Sequence, residues 1–261
     1  MNFKEYLAHR LIRTPLEGPA MQLRSLKGIP QRLKHPELKG IYQEGAAIDR
    51  VLKRFLQPQM NCIDIGVHLG SMLSFIYRHA PQGRHFAIEP ISYKCEWLRQ
   101  KFPEAQLFEA ALSDTPGEVD FYIDTKQSGF SGLQAGQHSS ADTMTVLKVQ
   151  CLRLDDIIPP EVSIDFIKID VEGAELAALS GGTQLLDRCQ PLILFECAKR
   201  SLNNHGKTPQ EMYDFFQSRG YQIFIPQALA TGQAALTFDR FTQALEYPFQ
   251  AFNFFAQKHH G

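Results

Sequence analysis

The sequence predicts an α/β fold with a doubly wound, mostly parallel sheet. Residues 61–65 and 85–88 are short apolar runs, and each is followed by a turn and by apolar residues at helical spacing. A third apolar run, at residues 106–112, follows the second predicted helix. Strands that alternate with helices in this order favour parallel strands joined by crossover helices.

The first strand leads into a glycine turn that is suited to ligand binding. Gly66 and Gly70 follow the strand, and the helix predicted after Gly70 carries its apolar residues at Met72, Leu73, Phe75 and Ile76. Glycine lets a ligand approach the backbone, and the free amides at a helix start attract polar or anionic groups. The turn therefore predicts a binding site for a small-molecule cofactor.

Four apolar runs end in a carboxylate, at Asp64, Glu89, Asp170 and Glu196. Because the carboxyl ends of parallel strands meet at one edge of a sheet, we expect these acids to line a common crevice. Glu89 lies 19 residues after Gly70 (89 − 70), which is about where nucleotide-binding units place an acid for the ribose hydroxyls.

A helix is predicted from Val171, directly after the strand that ends at Asp170. Glu172 and Glu175 fall in its first turn, where the helix dipole stabilises acidic side chains. That ordinary explanation is weaker for Asp170, which ends the strand itself. Residues 203–206, which include His205, are expected to form a loop over the same edge of the sheet.

Weaker signals predict the remaining elements. Residues 118–124 and 145–154 alternate enough to be strands, residues 209–219 are helical, and residues 221–225 and 252–257 predict two further strands.

Residues 126–143 are rich in Ser, Gly and Gln and predict a mobile loop. The core of this loop, residues 128–132, fits either a lid with hydroxyl donors or a disordered connection, and the sequence leaves both open.

Composition excludes several classes of function. The 27 Lys and Arg residues balance 28 Asp and Glu residues, for a formal net charge of −1, so a nucleic-acid partner is not expected. The five cysteines are scattered without a Cys-x-x-Cys pair, which argues against a disulfide framework or a structural metal. No leader-like segment or membrane-length apolar run occurs, and the cytoplasm is the expected location.

Residues 1–45 are predicted to be an extension that covers one large domain at residues 46–261. Residues 1–40 hold eight basic and three acidic residues, and Phe3, Leu7 and Leu11 form one stripe of a predicted basic helix. Two interpretations compete for this segment. A cover packed on the domain is favoured by its four prolines, and the alternative is an arm that contacts a membrane surface or a glycolipid.

Carboxylates around a glycine turn suit a ligand with a ribose, a cationic part and an ammonium group. S-adenosylmethionine has all three, with Glu89 placed for its ribose, the Gly66–Gly70 backbone for its methionine end, and the region after Ala111 for its adenine. A nicotinamide dinucleotide fits less well, because the turn reads Asp-x-Gly-x-x-x-Gly and not Gly-x-Gly-x-x-Gly.

Four segments of the chain resemble the FkbM family of S-adenosylmethionine-dependent methyltransferases. They are residues 64–70, 87–90, 111–114 and, above all, the Lys-x-Asp-x-Glu-Gly-x-Glu block at residues 168–175. The resemblance covers roughly residues 40–200. It implies a class I methyltransferase (Rossmann-like) fold with a seven-stranded sheet, and methyl transfer to a hydroxyl of a sugar, a glycolipid or a related natural product. At His68 the family more often has Asn.

The resemblance and the pattern of acids together predict a set of site residues. The expected cofactor site comprises Asp64, Gly66, His68, Gly70, Glu89, Pro90, Ala111, Leu112 and Asp170. The candidates for removing the proton of the acceptor hydroxyl are Asp170, Glu172, Glu196 and His205. Asp170 and Glu196 are also candidate ligands of a divalent cation, but no metal is the favoured expectation, because the sequence offers no clear third ligand.

Two other functions remain open at this point. One is a protein that binds S-adenosylmethionine without catalysis, and the other is an NAD(P)-dependent oxidoreductase. A small molecule or a glycan is the expected acceptor, but its identity and the oligomeric state are not encoded in any motif we recognise.

Overall fold

The structure, a computed structural model, describes residues 3–20, 29–124, 129, 131–134 and 144–259. The strands of these residues are β1 (Cys62–Ile65), β2 (Phe86–Ile88), β3 (Gln106–Phe108), β4 (Ala111–Leu112), β5 (Gly117–Asp124), β6 (Met144–Leu152), β7 (Phe166–Ile169), β8 (Leu192–Glu196), β9 (Tyr221–Phe224) and β10 (Asn253–Lys258).

The named helices of the described residues lie before, between and after the strands. They are α1 (Phe3–Leu11), α2 (Ile29–Lys34), α3 (Lys39–Phe55), α4 (Ser71–His79), α5 (Ser92–Lys101), α6 (Leu154–Ile157), α7 (Glu175–Ser180), α8 (Thr183–Cys189), α9 (Lys199–Asn204), α10 (Pro209–Ser218), α11 (Pro226–Thr231) and α12 (Phe238–Ala244), with a short 3-10 turn at Pro36–Leu38.

Seven strands form the central sheet, in the order β3-β2-β1-β7-β8-β10-β9. All neighbours are parallel except at β10, which runs antiparallel to both β8 and β9. The chain builds outward from β1 in one direction and from β7 in the other, so a topological switch point lies between these two strands. The prediction of a doubly wound, mostly parallel, seven-stranded sheet is confirmed.

The central strands are mostly apolar because both faces of the sheet are covered. On β7, Ile167 and Ile169 pack into one apolar cluster, and Phe166 packs into another on the opposite face. Helix α3 covers the second face through Val51 and Leu52. A strand between two helical layers therefore shows no regular alternation of apolar and polar residues, as residues 164–169 illustrate.

The predicted third strand at residues 106–112 is two strands in different sheets. Residues 106–108 form β3 beside β2, whereas Ala111–Leu112 form β4, which pairs with β6 in a three-stranded sheet of order β4-β6-β5. The last hydrogen bond between these strands runs from the amide of Glu89 to the carbonyl of Phe108 (3.1 Å). Beyond Phe108 the chain leaves the central sheet and finds a new partner in β6.

Two predicted element boundaries were wrong. The helix expected from Val171 begins at Glu175, because Glu172 (φ 56°) and Gly173 (φ 103°) adopt left-handed backbone conformations that a helix does not allow. The loop expected at residues 203–206 is occupied in part by α9, which ends at Asn204.

The first helix packs on the domain through the side opposite its leucines. His9 stacks on Trp97 with ring centroids 5.3 Å apart, and His9 and Ile12 are buried. Lys101 Nζ donates to the carbonyls of His9 and Ile12, at 2.9 Å each, and so caps the end of α1. Leu7 and Leu11 face outward.

Helix α3 runs without interruption through the predicted boundary between residues 45 and 46. No break in the helix therefore marks the predicted boundary between the extension and the domain. This boundary stays a prediction. Most of the predicted lid at residues 126–143 lies outside the described residues. Among the described residues, no helix combines the length and the apolar composition that crossing a membrane requires.

Glu44 of α3 provides a test of how the last strand is held. Its Oε1 accepts hydrogen bonds from the amides of Phe252 (2.7 Å) and Asn253 (2.8 Å), and its Oε2 accepts one from Asn253 Nδ2 (3.0 Å). Glu44→Ala leaves these donors unpaired and should lower the free energy of unfolding in urea by about 3 kcal/mol. Glu44→Gln keeps the acceptor oxygen and should lose less. Equal losses in both variants would contradict this role.

Candidate active site

Four residues from four strands lie side by side at the carboxyl edge of the central sheet. The sheet register aligns Ile88, Ile65, Ile169 and Phe195 in one row across β2, β1, β7 and β8. The residues that follow them are therefore adjacent in the same order, and they are Glu89, Gly66, Asp170 and Glu196. Three of the four acids predicted for this edge lie there, although more than 100 residues separate the first from the last.

Asp64, the fourth predicted acid, lies opposite Lys168. It is one row below Ile65 and Ile169, and thus two rows below the other three acids. It is fully buried, and its Oδ1 lies 3.5 Å from Lys168 Nζ. Burial raises the pKa of Asp64, and the nearby Lys168 ammonium opposes that rise. Asp64 therefore supports the site from below and does not face the crevice.

Gly66 is the point at which β1 meets the end of β7. Its φ is +74°, and a Cβ at this position would lie 1.9 Å from the carbonyl oxygen of Asp170. No residue with a side chain fits there without a shift of the backbone. Gly70 (φ +95°) is tightly packed against Phe102 and Leu98 and does not line the cavity described below.

Lys168 joins the glycine turn to the acids. Its Nζ donates to the carbonyls of Gly66 (2.7 Å) and Ile65 (3.2 Å), and it lies 3.6 Å from Asp170 Oδ2 and 3.5 Å from Asp64 Oδ1. Burial alone would lower the pKa of Lys168, but the two carboxylates outweigh it and raise the pKa. Lys168 is therefore held as an ammonium ion.

Glu89 is fixed by two backbone amides. Its Oε2 accepts from the amide of His68 (2.9 Å) and its Oε1 from the amide of Ile91 (3.1 Å). Burial raises the pKa of Glu89, against the opposing effect of the nearby Lys94 ammonium and of these two amides. The carboxyl group is held in one orientation at the side of the glycine turn.

His68 contributes its backbone as well as its ring. Its φ of 54° is left-handed, a conformation in which Asn, Asp and His are enriched among residues with a side chain. Histidine is therefore among the residue types that fit this backbone conformation. Burial, followed by the nearby Lys94, lowers the pKa of His68 to about 4, so the ring is neutral at neutral pH.

These elements surround a cavity of about 360 Å³ at the switch point, which is within the range of small-molecule sites. Eight of the predicted site residues line it: Gly66, His68, Glu89, Pro90, Ala111, Leu112, Asp170 and Glu172. Four do not: Asp64, Gly70, Glu196 and His205. Apolar side chains of Ile88, Ile91 and Phe121 make up much of the remaining wall, and Gly129 and Ser131 of the predicted lid segment also line it.

Asp170, Glu172 and Glu196 form an acidic cluster at the β7 end of the cavity, with one carboxylate oxygen of each within 4.8 Å of the others. Burial, with added repulsion from Asp170, raises the pKa of Glu172 to about 8. Burial and the same repulsion raise the pKa of Glu196 well above its usual range, and Glu196 shares a hydrogen bond with Asp170. Glu172 therefore holds its proton at neutral pH, and the same effects favour the protonated form of Glu196.

The cluster supplies the third oxygen that the sequence did not reveal for a cation. Glu172 joins Asp170 and Glu196 because its left-handed backbone turns it toward them and away from a helix. Three oxygens suit Mg²⁺. The elevated pKa values of Glu172 and Glu196 show that protons can relieve the same repulsion, so the cluster alone does not establish a metal site.

His205 lies behind the cluster, at the end of α9. Its ring contacts the backbone of Glu172, and burial lowers its pKa, so it is neutral at neutral pH. Gly173 makes this approach possible, because a Cβ there would lie 2.8 Å from His205 Cδ2. His205 does not line the cavity, and its contact supports the turn that carries Glu172.

Two buried lysines of the site were missed as site residues from the sequence. Lys168 interrupts the apolar run at residues 164–169, and Lys94 takes an inward position on α5 beside the buried Cys95 and Leu98. Both line the cavity. A lysine at a position that should be apolar was the available signal, since lysine is almost never fully buried without a partner.

Glu175 links the protonation of the site to stability. It is buried, and its Oε1 accepts from the amides of Val171 (2.9 Å) and Gly173 (3.2 Å). Burial raises its pKa to about 7 from 4.5, so the folded protein keeps a proton that the unfolded chain releases. The stability from this group is fully present below about pH 4.5 and is lost as the pH rises through about 7.

Glu175→Gln removes this titration and keeps the acceptor oxygen. The free energy of unfolding of the variant should therefore fall less between pH 4.5 and pH 7 than that of the original protein, by up to about 3 kcal/mol. Urea unfolding across this range measures it, with the exposed Glu96→Gln as the control. Identical slopes for Glu175→Gln and the original protein would contradict the assignment.

Comparison with known proteins places this geometry in a family. Residues 64–223 match the model of the methyltransferase FkbM domain. The 2-O-methyltransferase NoeI of Sinorhizobium fredii is 28% identical over 148 residues, which cover 51% of this chain and 61% of NoeI. The AMB antimetabolite synthetase AmbE of Pseudomonas aeruginosa is 24% identical over 234 residues, which cover 73% of this chain and 11% of AmbE.

Among solved structures, the methyltransferase FkbM from Methylobacillus flagellatus KT is 17% identical, with a TM-score of 0.44 over 64% of this chain and 40% of that one. The matches thus span less than two thirds of the length of each of these three proteins. The family model, in contrast, covers more than half of this chain, and it includes the glycine turn and the whole acidic cluster. The chain therefore belongs to the FkbM methyltransferase domain family.

Proposed function

We propose that this chain is an S-adenosylmethionine-dependent O-methyltransferase that acts on a hydroxyl group of a sugar, a glycolipid or a related natural product. One observation carries the proposal. A single cavity has an oriented carboxyl group, Glu89, on one side of the glycine turn and an acidic cluster on the other side. Family membership supports the transfer of a methyl group, and the name of NoeI supports an oxygen acceptor.

The residues that line the cavity suit S-adenosylmethionine. Glu89 offers acceptor oxygens for ribose hydroxyls, because two amides already fix its orientation. Ala111 and Leu112 provide a small apolar wall for an adenine ring, and the backbone from Gly66 to His68 is open to the methionine end. When bound, the cofactor supplies an electrophilic methyl group on a cationic sulfur.

Asp170 is the proposed general base. It lines the cavity, its side chain is 42% exposed, and its Oδ2 lies 3.6 Å from the Lys168 ammonium. A hydroxyl is a weak nucleophile until its proton is removed as the new bond forms. Among the three acids of the cluster, Asp170 is therefore the member placed to accept that proton.

The two neighbouring acids set up this base. The hydrogen bond between Glu196 and Asp170 fixes the orientation of the Asp170 carboxyl group. Glu172, protonated below about pH 8, presents a hydrogen-bond donor to the cavity. Three negative charges in this cluster would repel one another. Protons on its carboxyl groups reduce that repulsion and make the burial of the cluster beside one ammonium possible.

Most of the rate enhancement is expected from positioning. The reacting methyl group, its sulfur and the acceptor oxygen must lie in line, and rigid strand ends hold the cavity walls more precisely than loops do. The apolar wall of the cavity also limits the access of water. In this proposal, residues 46–261 form the methyltransferase domain and residues 1–45 form its cover.

Cofactor identity is tested by ligand-dependent stability. S-adenosylhomocysteine at 100 times its dissociation constant should raise the stability by about 2.7 kcal/mol, and NADH should not change the melting temperature. Glu89→Gln should weaken binding of S-adenosylhomocysteine by at least about tenfold, because a site with a missing charge-assisted hydrogen bond loses 1.5–3 kcal/mol. Stabilisation by NADH alone would exclude the proposed cofactor.

Catalysis is tested at Asp170. Asp170→Asn should lower kcat by about 10²–10⁴-fold and leave the affinity for S-adenosylhomocysteine within a small factor, because the amide has nearly the same shape but cannot accept the proton. Transfer of a labelled methyl group to a panel of sugars and glycolipids measures turnover. Asp156→Asn, at an exposed position outside the cavity, is the control.

Full turnover in Asp170→Asn would refute the assignment of the base. Tight binding of S-adenosylhomocysteine without transfer to any acceptor of the panel would instead favour a protein that binds the cofactor without catalysis.

A further inference from the structure

Exposed leucines are concentrated at the start of the chain. Of the six large apolar side chains that stand out as exposed in the described residues, four belong to the first 40 residues: Leu7 (47% exposed), Leu11 (36%), Leu16 (61%) and Leu33 (79%). Single exposed apolar residues are common, but a concentration of them marks a surface that contacts something else.

Leu7 and Leu11 lie one turn apart on the outward side of α1, next to the exposed Arg10. The inner side of the same helix is anchored by the stacking of His9 on Trp97 and by the Lys101 cap. These contacts fix the rotation of α1, so the leucines cannot turn inward to find cover. We name Leu7, Arg10 and Leu11 the outer face of α1.

The three acidic residues of the first 40 residues all accept hydrogen bonds. Glu5 accepts a hydrogen bond from Tyr93 Oη (3.1 Å), and the buried Glu17 accepts bonds from Ser74 Oγ (2.8 Å) and the Arg13 amide (2.9 Å). Glu37 pairs with His35 and Tyr247. The acidic side chains of the first 40 residues are therefore hydrogen-bonded or turned inward.

The basic residues, in contrast, remain largely outward. Arg10, Lys34 and Lys39 are exposed and make no ion pair within the described part of the chain, whereas Arg13 pairs with Glu104. Of these three, Arg10 lies on α1 itself, beside Leu7 and Leu11. Leucine beside arginine on one helix face is the pattern of helices that lie in the headgroup region of a membrane.

We propose that the outer face of α1 docks on an anionic lipid surface. Leu7 and Leu11 insert among the acyl chains near the headgroups, and Arg10 pairs with lipid phosphates. A second copy of this chain is a poorer occupant, because two such faces carry the same positive charge and repel each other.

Docking would bring the cavity close to the lipid surface. The Glu5 side chain reaches Tyr93 from the inner side of α1, and it acts electrostatically on His68 and Lys94, both of which line the cavity. The same short helix therefore acts on two cavity-lining residues from its inner side and carries the leucines on its outer side.

Co-sedimentation with vesicles tests the proposal directly. The original protein should bind vesicles of phosphatidylcholine and phosphatidylglycerol, bind phosphatidylcholine vesicles much less, and release as salt is raised. The double variant Leu7→Ser/Leu11→Ser should bind the anionic vesicles at least about tenfold more weakly. Arg10→Gln should bind them about fivefold more weakly, the value of one basic residue at an anionic surface.

Matched controls separate docking from general effects. Val146→Ser removes an exposed apolar side chain (51% exposed) from β6, and Arg50→Gln removes an exposed charge from α3, and both should bind as the original protein does. Circular dichroism should show that all variants are folded. Since no cofactor, acceptor or turnover enters this assay, its outcome is independent of the proposed activity.

Three results would overturn the proposal. One is equal binding to anionic and neutral vesicles, and another is unchanged binding by the double leucine variant. The third is a dimer in light scattering that the double variant converts to a monomer, since that would show the outer face to pair with a second copy.

Discussion

A single buried ammonium group holds the site together. Lys168 lies between two carboxylates, Asp64 below it and Asp170 above it, and it donates to two carbonyls of the glycine turn. Without the ammonium, the buried Asp64 would have no compensating charge, and carbonyls at the end of β1 would lose a donor. The contacts of Lys168 thus tie together the glycine turn, the carboxylate of Asp170 and the buried carboxylate of Asp64.

The sheet register turns distant residues into neighbours. Each strand of the parallel core ends in the same aligned row, so the next residue of each strand reaches the same edge. Gly66 lets β1 and β7 approach there without a side chain between them. On one side the chain leaves the central sheet after Phe108 and forms the second sheet, whose Ala111 and Phe121 line the cavity. A backbone constraint thus shapes the site as much as its side chains do.

Helix α1 connects the cavity to the outside of the molecule. Glu5 and His9 face inward, where one contacts Tyr93 and the other stacks on Trp97, while Leu7 and Leu11 face outward. The sequence showed a basic amphipathic helix and suggested that its leucine stripe would be covered or would contact a membrane. The structure shows a helix that is anchored through its polar and aromatic residues, which leaves the leucine stripe exposed.

The sequence by itself determined the order of the central strands and helices, the glycine turn, Glu89 and Asp170, because apolar periodicity and residues such as glycine act locally. It could not determine that Asp64 lies two rows below Glu89 and Asp170, that Glu172 turns toward Glu196, or that Lys94 and Lys168 are largely buried. Those facts depend on strand register, on the left-handed backbone at Glu172 and on contacts between residues far apart in the chain. Only the tertiary structure decides them, because the free energy of burying a charge depends on which opposite charges and hydrogen-bond partners the fold brings beside it.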